Sequence, residues 1–421
     1  MAYFENFVVD IMMIMNGETY MSNDNPDSKN IQNIEEWFLN LPAKELPKPQ
    51  QQDTTYKDMY IELKNKLNPI HDLVEKGALL ASCLKYRRTL SDAIDDLLDK
   101  KATNNQTESS TSDLIDLKDV VHNDAFIYLN QHGQGHIEKL IEKVTDLINN
   151  FYIKPPTPFE TFILLCAIQI HDIGNIFGRD KHEKSFQQKF VEIATPIIHD
   201  TATRTTIFRV ASVHSGNING TKDTISNSKL TSEATICQQN VRGHMLAALL
   251  RLGDELADDS SRADYTLTKI MKIYIEESEI YHDYSLALNS VSIRRNTVNN
   301  SNYLYLNYFM DSETISKKYS RNKQDVFLID EIFSRTKKME QERRYCMRFL
   351  THYLSLTEIH VRIEISDTYD MTKAEVITYS LSENGYPLDD IKIFSDETAI
   401  EENTAEKIIN NLILKGWRIT I

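Results

Sequence analysis

Apolar residues recur at helical spacing through the middle of the chain. Between residues 56 and 101 they stand three or four positions apart, as Leu63 and Leu67 do, which predicts two or three helices. The same period returns from residue 114 to about residue 265. The helices predicted there span residues 135–150, 158–171, 183–194, 203–214 and 233–257. This part of the chain is therefore expected to be an all-helical core.

Beyond Thr266 the pattern changes to short stretches of β-branched and aromatic residues, which predict strands. The strands predicted there are Ile270–Glu276, Tyr284–Arg294, Tyr303–Met310 and Ile359–Ile365. The remaining predictions are helices at 323–354, 371–382 and 403–415, a strand at 389–394 and a final strand at 417–421. Mixed strands and helices of this kind favour an α+β region.

The segment 101–113 has no apolar period and is rich in Asn, Ser and Thr, which indicates a linker. We therefore expect N-terminal helices in 1–105, a helical domain in 114–266 and a regulatory or oligomerising α+β region in 267–421. The predicted fold class is mainly α: an all-helical core with N-terminal helices and a smaller C-terminal α+β region.

Charge, cysteine spacing and the length of apolar runs predict the partners and the location of the protein. The formal charge of -15 repels polyanions, so we expect no long duplex nucleic acid as a partner. The four cysteines are widely separated and form no CxxC pair, which is typical of reduced thiols in a cytoplasm. No apolar run of membrane-spanning length occurs, and the apolar stretch 7–15 contains Asp10. The sequence therefore predicts a cytoplasmic protein without a membrane partner.

Candidate chemistry concentrates in the helical part. Eight of the twelve histidines fall between residues 122 and 244. His-Asp dipeptides occur at 71, 171, 199 and 282, but only His171-Asp172 closes a strongly apolar helix, FETFILLCAIQI. Ionised Asp beside an imidazole at a buried helix end is costly unless a metal or hydrogen bonds compensate the charge. The dipeptide at 71 follows Asn68-Pro69, which we interpret as a helix start.

Two further residues lie at the edges of apolar helices. His136 opens the amphipathic helix HIEKLIEKV, and Asp254 lies near the end of MLAALLRLGDELADD. Gly253 before it leaves room for a close helix approach. A buried carboxylate at that place is again costly unless a cation compensates its charge.

This series of His, His-Asp and Asp resembles the HD superfamily of metal-dependent phosphohydrolases over residues 120–265. HGQGH, HDIGN and RLGDELADDSSR make it similar to HD enzymes of prokaryotic conflict and anti-phage systems. More loosely it is similar to deoxynucleotide triphosphohydrolases, whose second motif also precedes a Phe-Gly pair, here Phe177-Gly178.

The resemblance implies a set of metal ligands and catalytic residues. The primary ligands it implies are His136, His171, Asp172 and Asp254. His182 and His214 match the extra histidines of two-metal members, and Asp172 would bridge two ions; these three are the candidate catalytic residues. Nitrogen and carboxylate ligands suit Mn, Fe, Ni, Co or Zn, with Mg as a further candidate. One or two such ions would make hydroxide available near pH 7 to attack phosphorus.

Several of these residues have a second interpretation. His182 lies in the charged run RDKHEK, where a solvated histidine is the less favoured interpretation, and for His214 the less favoured interpretation is a helix cap. His132 is either a substrate contact or a turn residue. His244, nearly three turns before Asp254, is better interpreted as a satisfied core histidine.

Phosphate needs cations besides a metal ion. The candidates are Arg179, Lys181 and Lys184, which follow HDIGN, and Arg251 and Arg262, which flank Asp254. Surface solvation is the alternative for the first three. For the two arginines, structural ion pairs with Glu255, Asp258 or Asp259 are slightly favoured over a substrate contact.

The leading hypothesis is hydrolysis of a nucleotide phosphoester or phosphoanhydride, first of a deoxynucleoside triphosphate (dNTP), in anti-phage defence. The second is a phosphodiesterase or nuclease acting on cyclic nucleotides or oligonucleotides. The third, of another class, is a non-catalytic nucleotide sensor or assembly subunit. A nucleotide effector and a homo-oligomer complete the expected partners.

Overall fold

The computed structural model describes residues 31–42, 45–46, 49, 54–83 (side chains to 72), 133–173, 187, 190–218, 220–258, 260, 279–298, 301–321, 324–370, 372–383 and 404–419. The chain divides into the units Met1–Gln32 and Asn33–Ile421, and every element below belongs to the second unit. The predicted boundaries at 105, 114 and 266 and the linker 101–113 lie outside the described residues, so the three-region division stays a prediction.

The described helices are α1 Ile34–Asn40, α2 Tyr56–Cys83, α3 Gln134–Asn149, α4 Pro158–Ile170, α5 Thr201–Ser212, α6 Thr224–Asn227, α7 Gly243–Leu256, α8 Glu279–Ala287, α9 Ser312–Ser316, α10 Leu328–Leu350 and α11 Ala405–Leu414. The described strands are β1 Ala234–Ile236, β2 Gln239–Val241, β3 Leu288–Asn296, β4 Ser301–Asp311, β5 Lys318–Arg321, β6 Gln324–Phe327, β7 Leu356–Ser366 and β8 Ala374–Ser382.

Local sequence explains where the central helices begin. Thr157 caps α4 by accepting a hydrogen bond from the backbone of Glu160, whose side chain accepts one from the backbone of Thr157, and Pro158 follows as the first helical residue. Asp200 caps α5 through the backbone of Thr203. The helices predicted at 135–150, 158–171 and 203–214 are thus confirmed to within two residues.

The core lies where α3, α4 and α7 pack against one another. Helix α4 is buried on all sides from Phe159 to Ile170, whereas α3 buries one stripe. Helices α2 and α5 cover α4, and α10 covers α7. The three central helices are therefore held from both sides, which limits how far their ends can move.

The C-terminal part contains a four-stranded sheet in the order β3-β4-β7-β8. Strands β4 and β7 are parallel, and the other neighbours are antiparallel. The parallel pair is joined by a connection that includes α10, as a parallel pair requires. Buried and half-buried residues alternate along β7, so one face of the sheet carries the core.

The predicted fold class is wrong. Of the described residues, 53% are helical and 22% lie in strands, which form sheets of four, two and two strands, so this part of the chain is not an all-helical core. Within the predicted helix 233–257, strands β1 and β2 form a hairpin before α7 begins. Cys237 and Gln238 at its turn both have positive φ, the conformation of a type I′ turn, although neither is the Gly or Asn that usually signals one.

Two C-terminal predictions also fail. Residues 374–382 form strand β8, paired with β7 along its length, where the pattern predicted a helix at 371–382. Pairing with a neighbouring strand overrides weak local preference in such a segment. Residues 417–419 form no strand. The helix at 403–415 and the strand Ile359–Ile365 are confirmed, whereas 270–276 and 389–394 lie outside the described residues.

Helix α2 corrects a third expectation. It continues through Pro69, so Asn68-Pro69 is not a helix start. A proline inside a helix removes one backbone hydrogen bond but does not end the helix where packing supports it. The buried stripe of Tyr60, Leu63, Leu67 and His71 continues across this position at spacings of three and four.

Candidate metal centre

His136 lies in the first turn of α3 and is 2% exposed. It continues the buried stripe of Ile137, Leu140 and Val144 that faces the core. The amphipathic period of this helix therefore places an imidazole at the edge of the core.

His171 and Asp172 follow the last residue of α4. His171 is 4% exposed, and its Nδ1 lies 2.8 Å from the backbone oxygen of Ile168, a distance at which Nδ1–H donates a hydrogen bond. In the neutral ring, donation by Nδ1 leaves the Nε2 lone pair of His171 available. Metal-binding histidines are commonly oriented in this way.

Asp254 comes from α7, directly after Gly253. A Cβ atom at residue 253 would lie 2.6 Å from Cγ2 of Val144 and 3.0 Å from Cδ1 of Leu140, both on α3. Only glycine permits helices α3 and α7 to approach this closely. The close approach brings the carboxylate of Asp254 to the imidazole of His136.

The structure brings these four side chains together. One ligand atom from each of His136, His171, Asp172 and Asp254 lies within 4.8 Å of the other three. Oδ1 of Asp254 is 3.1 Å from Nε2 of His136 and 3.6 Å from Nε2 of His171. Three separate helices deliver this group, which is a set of nitrogen and oxygen donors around one point.

Asp172 faces two groups of histidines. Its Oδ2 is 3.6 Å from Nε2 of His171 and 4.0 Å from Nε2 of His136, while its Oδ1 is 3.5 Å from Nε2 of His214. His214 is buried at the end of α5, with Nδ1 2.5 Å from the backbone oxygen of Ala211. The two oxygens of one carboxylate are therefore turned toward different imidazoles.

The charges of the group are strongly coupled. Burial by itself would raise the pKa of Asp254, but His136 and His171 hold the pKa of this carboxyl well below its usual range. Burial opposes protonation of His171, yet Asp172 and Asp254 raise the pKa of its imidazole to about 9. A proton or another cation is therefore needed between the carboxylates.

The donor set fits a divalent metal ion. Imidazole nitrogen with carboxylate oxygen suits Mn, Fe, Ni, Co and Zn, whereas Mg favours oxygen ligands alone. Each of the four residues offers one donor atom, and the carboxylates supply the negative charge that an ion would neutralise. The group can therefore hold a metal ion, and its composition leaves the element open.

A buried ion pair holds the opposite ends of the two main ligand helices. Glu160 in the first turn of α4 accepts hydrogen bonds from Nε and Nη2 of Arg242, at 2.8 and 2.6 Å, and from its backbone N–H. Arg242 caps α7. His171 and Asp254 lie eleven and twelve residues beyond this pair, about 16 to 18 Å along the helix axes, so the ligands end at the same level.

Arg251, a predicted substrate residue, is engaged elsewhere. Its Nε and Nη2 donate to the two carboxylate oxygens of Glu342 on α10, at 2.7 and 2.9 Å, and its Nη1 donates to Oγ1 of Thr224. The guanidinium also lies 4.4 Å from the ring centre of Tyr345. These contacts correspond to the structural interpretation, although the partner is Glu342 and not one of the expected Glu255, Asp258 or Asp259.

The other predicted site residues lie outside the described residues: His132, Arg179, Lys181, His182, Lys184 and Arg262. Their assignments stay predictions. His244 has Nε2 2.9 Å from the backbone oxygen of Leu230, which agrees with its interpretation as a satisfied histidine.

In the remaining His-Asp dipeptides the aspartates have structural roles. Asp200 caps α5, and Asp283 accepts a hydrogen bond from Tyr319 at 2.7 Å. His71 differs, because it is 3% exposed, and the charges of His171 and Asp172 act on it. Burial, followed by His171, lowers the pKa of His71 to about 4, while Gln169 and Asp172 act in the opposite direction.

The burial of His71 was not predicted, because Asn68-Pro69 was interpreted as a helix start. The spacing of Tyr60, Leu63, Leu67 and His71 places all four residues on one helix face and is visible in the sequence. The prediction would have required following that period across the proline.

Comparison with known proteins gives one match. The model of the HD-CE family matches residues 124–335. No curated protein and no solved structure matches the chain. Among the described residues, no helix combines the length and apolarity needed to cross a membrane. Since the match covers half of the chain and includes all four converging residues, the chain belongs to the HD-CE family.

Proposed function

We propose that this chain is a metal-dependent phosphohydrolase with its centre at His136, His171, Asp172 and Asp254. The observation that carries the proposal is the convergence of one donor atom from each residue within 4.8 Å. Carboxylates and imidazoles at three buried helix ends are costly to assemble without a cation. Membership of the HD-CE family supports the same chemistry.

The proposed substrate is a nucleotide, with a dNTP as the first candidate, and the proposed setting is anti-phage defence. This part depends on the resemblance carried by HDIGN, Phe177-Gly178 and RLGDELADDSSR. The proposed phosphate contacts are Arg179, Lys181, Lys184, Arg262 and His132, with Arg251 available only if it leaves Glu342. A nucleotide effector, a homo-oligomer and a cytoplasmic location stay predictions.

The chain's own residues have distinct roles in this proposal. His136, His171, Asp172 and Asp254 would hold the first ion, and Asp172, whose other oxygen faces His214, would share a second ion with that histidine. His182 is the other proposed residue of that second position. A bound divalent ion supplies Lewis acidity and lowers the pKa of water from 15.7 to about 7. If only the first position is filled, His214 and Asp172 would instead be placed to hold or move a proton between Nε2 and Oδ1.

The test is hydrolysis by the full chain, stripped with a chelator and reloaded with Mn²⁺, Co²⁺, Ni²⁺, Zn²⁺ or Mg²⁺. We expect at least one ion to support release of phosphate, pyrophosphate or triphosphate from a dNTP, and Asp254→Asn to abolish it. Asp283→Asn is the matched control, because it changes a buried Asp outside the centre. Equal rates for chelated and reloaded protein on every phosphate compound would overturn the proposal.

The same panel separates the rival functions. Cleavage of cyclic dinucleotides or oligonucleotides without dNTP turnover identifies a phosphodiesterase or nuclease. A nucleotide-dependent rise in Tm with no phosphate released under any ion identifies a sensor or assembly subunit.

A further inference from the structure

Thr224, the first residue of α6, connects helix α7 with the end of helix α5. Its side chain is buried, and its hydroxyl has a partner on each side. Oγ1 donates to the backbone oxygen of Val213 at 2.6 Å and accepts from Nη1 of Arg251 at 2.7 Å. A hydroxyl has one proton, so donation to Val213 leaves its lone pairs for the guanidinium. The hydrogen bonds therefore run in one direction, from Arg251 through Thr224 to Val213.

The carbonyl of Val213 belongs to the peptide bond that leads into His214. Val213 is the C-cap of α5, and carbonyls at the end of a helix have no partner within that helix. Thr224 supplies the donor that this carbonyl needs. On its other side, His214 is tied to Ala211, whose backbone oxygen lies 3.4 Å from the backbone nitrogen and 2.5 Å from Nδ1 of His214. The imidazole that faces Asp172 is therefore fixed both by its own helix and by Thr224.

Helix α10 holds both Arg251 and helix α6. Glu342 accepts two hydrogen bonds from Arg251, at 2.7 and 2.9 Å. One turn further along α10, the hydroxyl of Tyr345 accepts from the backbone N–H of Ile225 at 2.8 Å and donates to Oδ1 of Asp223 at 3.0 Å. Asp223 is the N-cap of α6. Because Arg251 is buried and its partners are charged or fixed by backbone, a shift of α10 would be passed to α6.

We infer that Thr224 is a positioning residue for His214, and that Arg251 and Glu342 hold Thr224 in that role. The inference rests on the proposed function, in which His214 and Asp172 share a second ion. It gives Arg251 a role that does not require release from Glu342. Glu342 lies outside the residues 124–335 that match the family, so the C-terminal part of α10 becomes a support of the metal centre. Loss of a residue that orients a metal ligand typically weakens the affinity for the ion about 10- to 100-fold.

The first measurement is a titration of the chelator-stripped full chain with Mn²⁺, in which the electron paramagnetic resonance signal of free Mn²⁺ gives the number of ions bound. Thr224→Val removes the hydroxyl at nearly unchanged shape. We expect it to weaken binding of the second Mn²⁺ about 10- to 100-fold and to leave the first unchanged. Thr224→Ser keeps the hydroxyl and should restore the second affinity.

The second measurement does not depend on a metal. In the metal-free chain labelled with ¹⁵N-histidine, nuclear magnetic resonance reports the ring nitrogens, and the His214 signals are those that His214→Gln removes. Thr224→Val should shift these signals, whereas Thr224→Ser should leave them close to those of the wild type. A merely structural role of Thr224 would lower Tm without shifting them, and unshifted signals would overturn the inference.

The matched control is Thr336→Val. Thr336 is a fully buried threonine of α10, and its hydroxyl also has two partners, the backbone oxygen of Phe333 at 3.0 Å and the hydroxyl of Tyr379 at 2.8 Å. Its substitution should lower Tm but change neither the second Mn²⁺ affinity nor the His214 signals. An effect on His214 as large as that of Thr224→Val would show that loss of any buried hydroxyl is sufficient, and would overturn the inference.

The outcomes separate this inference from the proposed function. If the wild-type chain binds no second Mn²⁺, the two-ion part of the proposed function is wrong, and the His214 signals alone decide whether Thr224 positions this imidazole. If the wild type and Thr224→Val bind two ions equally well, only the inference is overturned. If Thr224→Val does not fold, Glu342→Gln replaces it: removing the charge that holds Arg251 should shift the same His214 signals, and unshifted signals would overturn the inference.

Discussion

Buried charged and polar groups behave differently in two regions of this molecule. Around α10 they are matched with partners: Arg343 donates to both oxygens of Glu340, and Arg335 donates to Asp258. At the ends of α3, α4 and α7, two carboxylates instead face three imidazoles, and Nε2 of His171 is buried without a hydrogen-bond partner in the described structure.

This difference distinguishes buried groups that stabilise the fold from buried groups that can bind a ligand. A buried charge whose hydrogen bonds are complete stabilises one arrangement of the chain and leaves little capacity for a ligand. A buried group with an open donor or acceptor carries a cost that a ligand can offset. The contrast therefore indicates that the metal centre of His136, His171, Asp172 and Asp254 is the functional site and that the ion pairs around α10 support the fold. Each prediction below tests this difference between the two regions.

The same substitution at the half-buried Asp172 and at the buried Asp283 should give opposite results. Asp172→Asn should abolish detectable Mn²⁺ binding and reduce any hydrolysis by at least about 10³-fold, since Lewis acidity supplies several kcal/mol. Asp283→Asn should retain Mn²⁺ binding but cost about 1–3 kcal/mol, because Tyr319 loses its acceptor. Mn²⁺ titration and urea unfolding measure both variants. If Asp283→Asn lost metal binding and Asp172→Asn kept it, the assignment of Asp172 to the metal site and of Asp283 to the supporting framework would be wrong.

Breaking the Glu160–Arg242 pair should strongly destabilise the protein. Arg242→Met leaves the carboxylate of Glu160, which is 1% exposed, without its cation. We expect a loss of about 3–5 kcal/mol in the free energy of unfolding, measured with urea. In a double-mutant cycle, Glu160→Gln should add much less to the Arg242→Met variant than to the wild type. Additive losses would contradict a coupled pair.

Metal affinity should rise with pH. The carboxylates raise the pKa of His171 to about 9, so at pH 7 its Nε2 carries a proton that a metal must displace. We expect affinity for Mn²⁺ to increase about tenfold per pH unit from 7 toward 9 and then level off. Calorimetry in buffers of different ionisation enthalpy measures the released proton.

The stability of the metal-free protein should change in the opposite direction. Because the folded-state pKa of His171 lies above its unfolded value, the favourable contribution is complete below about pH 6.5 and is lost through about pH 9. Affinity that is flat with pH, together with flat metal-free stability, would contradict a protonated His171.

Separating α3 from α7 should have the smallest effect of the four. Gly253→Ala places a Cβ atom 2.6 Å from Cγ2 of Val144, so the helices must move apart. We expect a loss of about 1–3 kcal/mol in stability together with weaker Mn²⁺ binding. Removing the clashing atom by combining Gly253→Ala with Val144→Ala should restore part of the affinity. No recovery would indicate that the space at Gly253 is not what brings Asp254 to His136.

Much of the candidate site could be predicted from the sequence. The dipeptide His171-Asp172 was distinguished from the other three by the apolar helix before it, and His136 and Asp254 by the apolar period around them. Each of these inferences uses local pattern, which fixes the face of a helix on which a side chain lies. The capping residues of α4 could be predicted for the same reason.

The failures came from long-range contacts. The hairpin of β1 and β2 turns at Cys237 and Gln238, which carry no turn preference of their own. Strand β8 is stabilised by β7. Arg251 lies in the same helix as Asp254 yet pairs with Glu342, 91 residues away. Residue spacing along one element contains no information about such partners.

The sequence by itself determined which side chains can bind a metal and which helices carry them, because helical periodicity and capping act over a few neighbouring residues. Only the tertiary structure decided that four of those side chains meet within 4.8 Å. It also decided how closely the helices that carry them approach, because the distance between two helices depends on packing at residues such as Gly253 and Glu160.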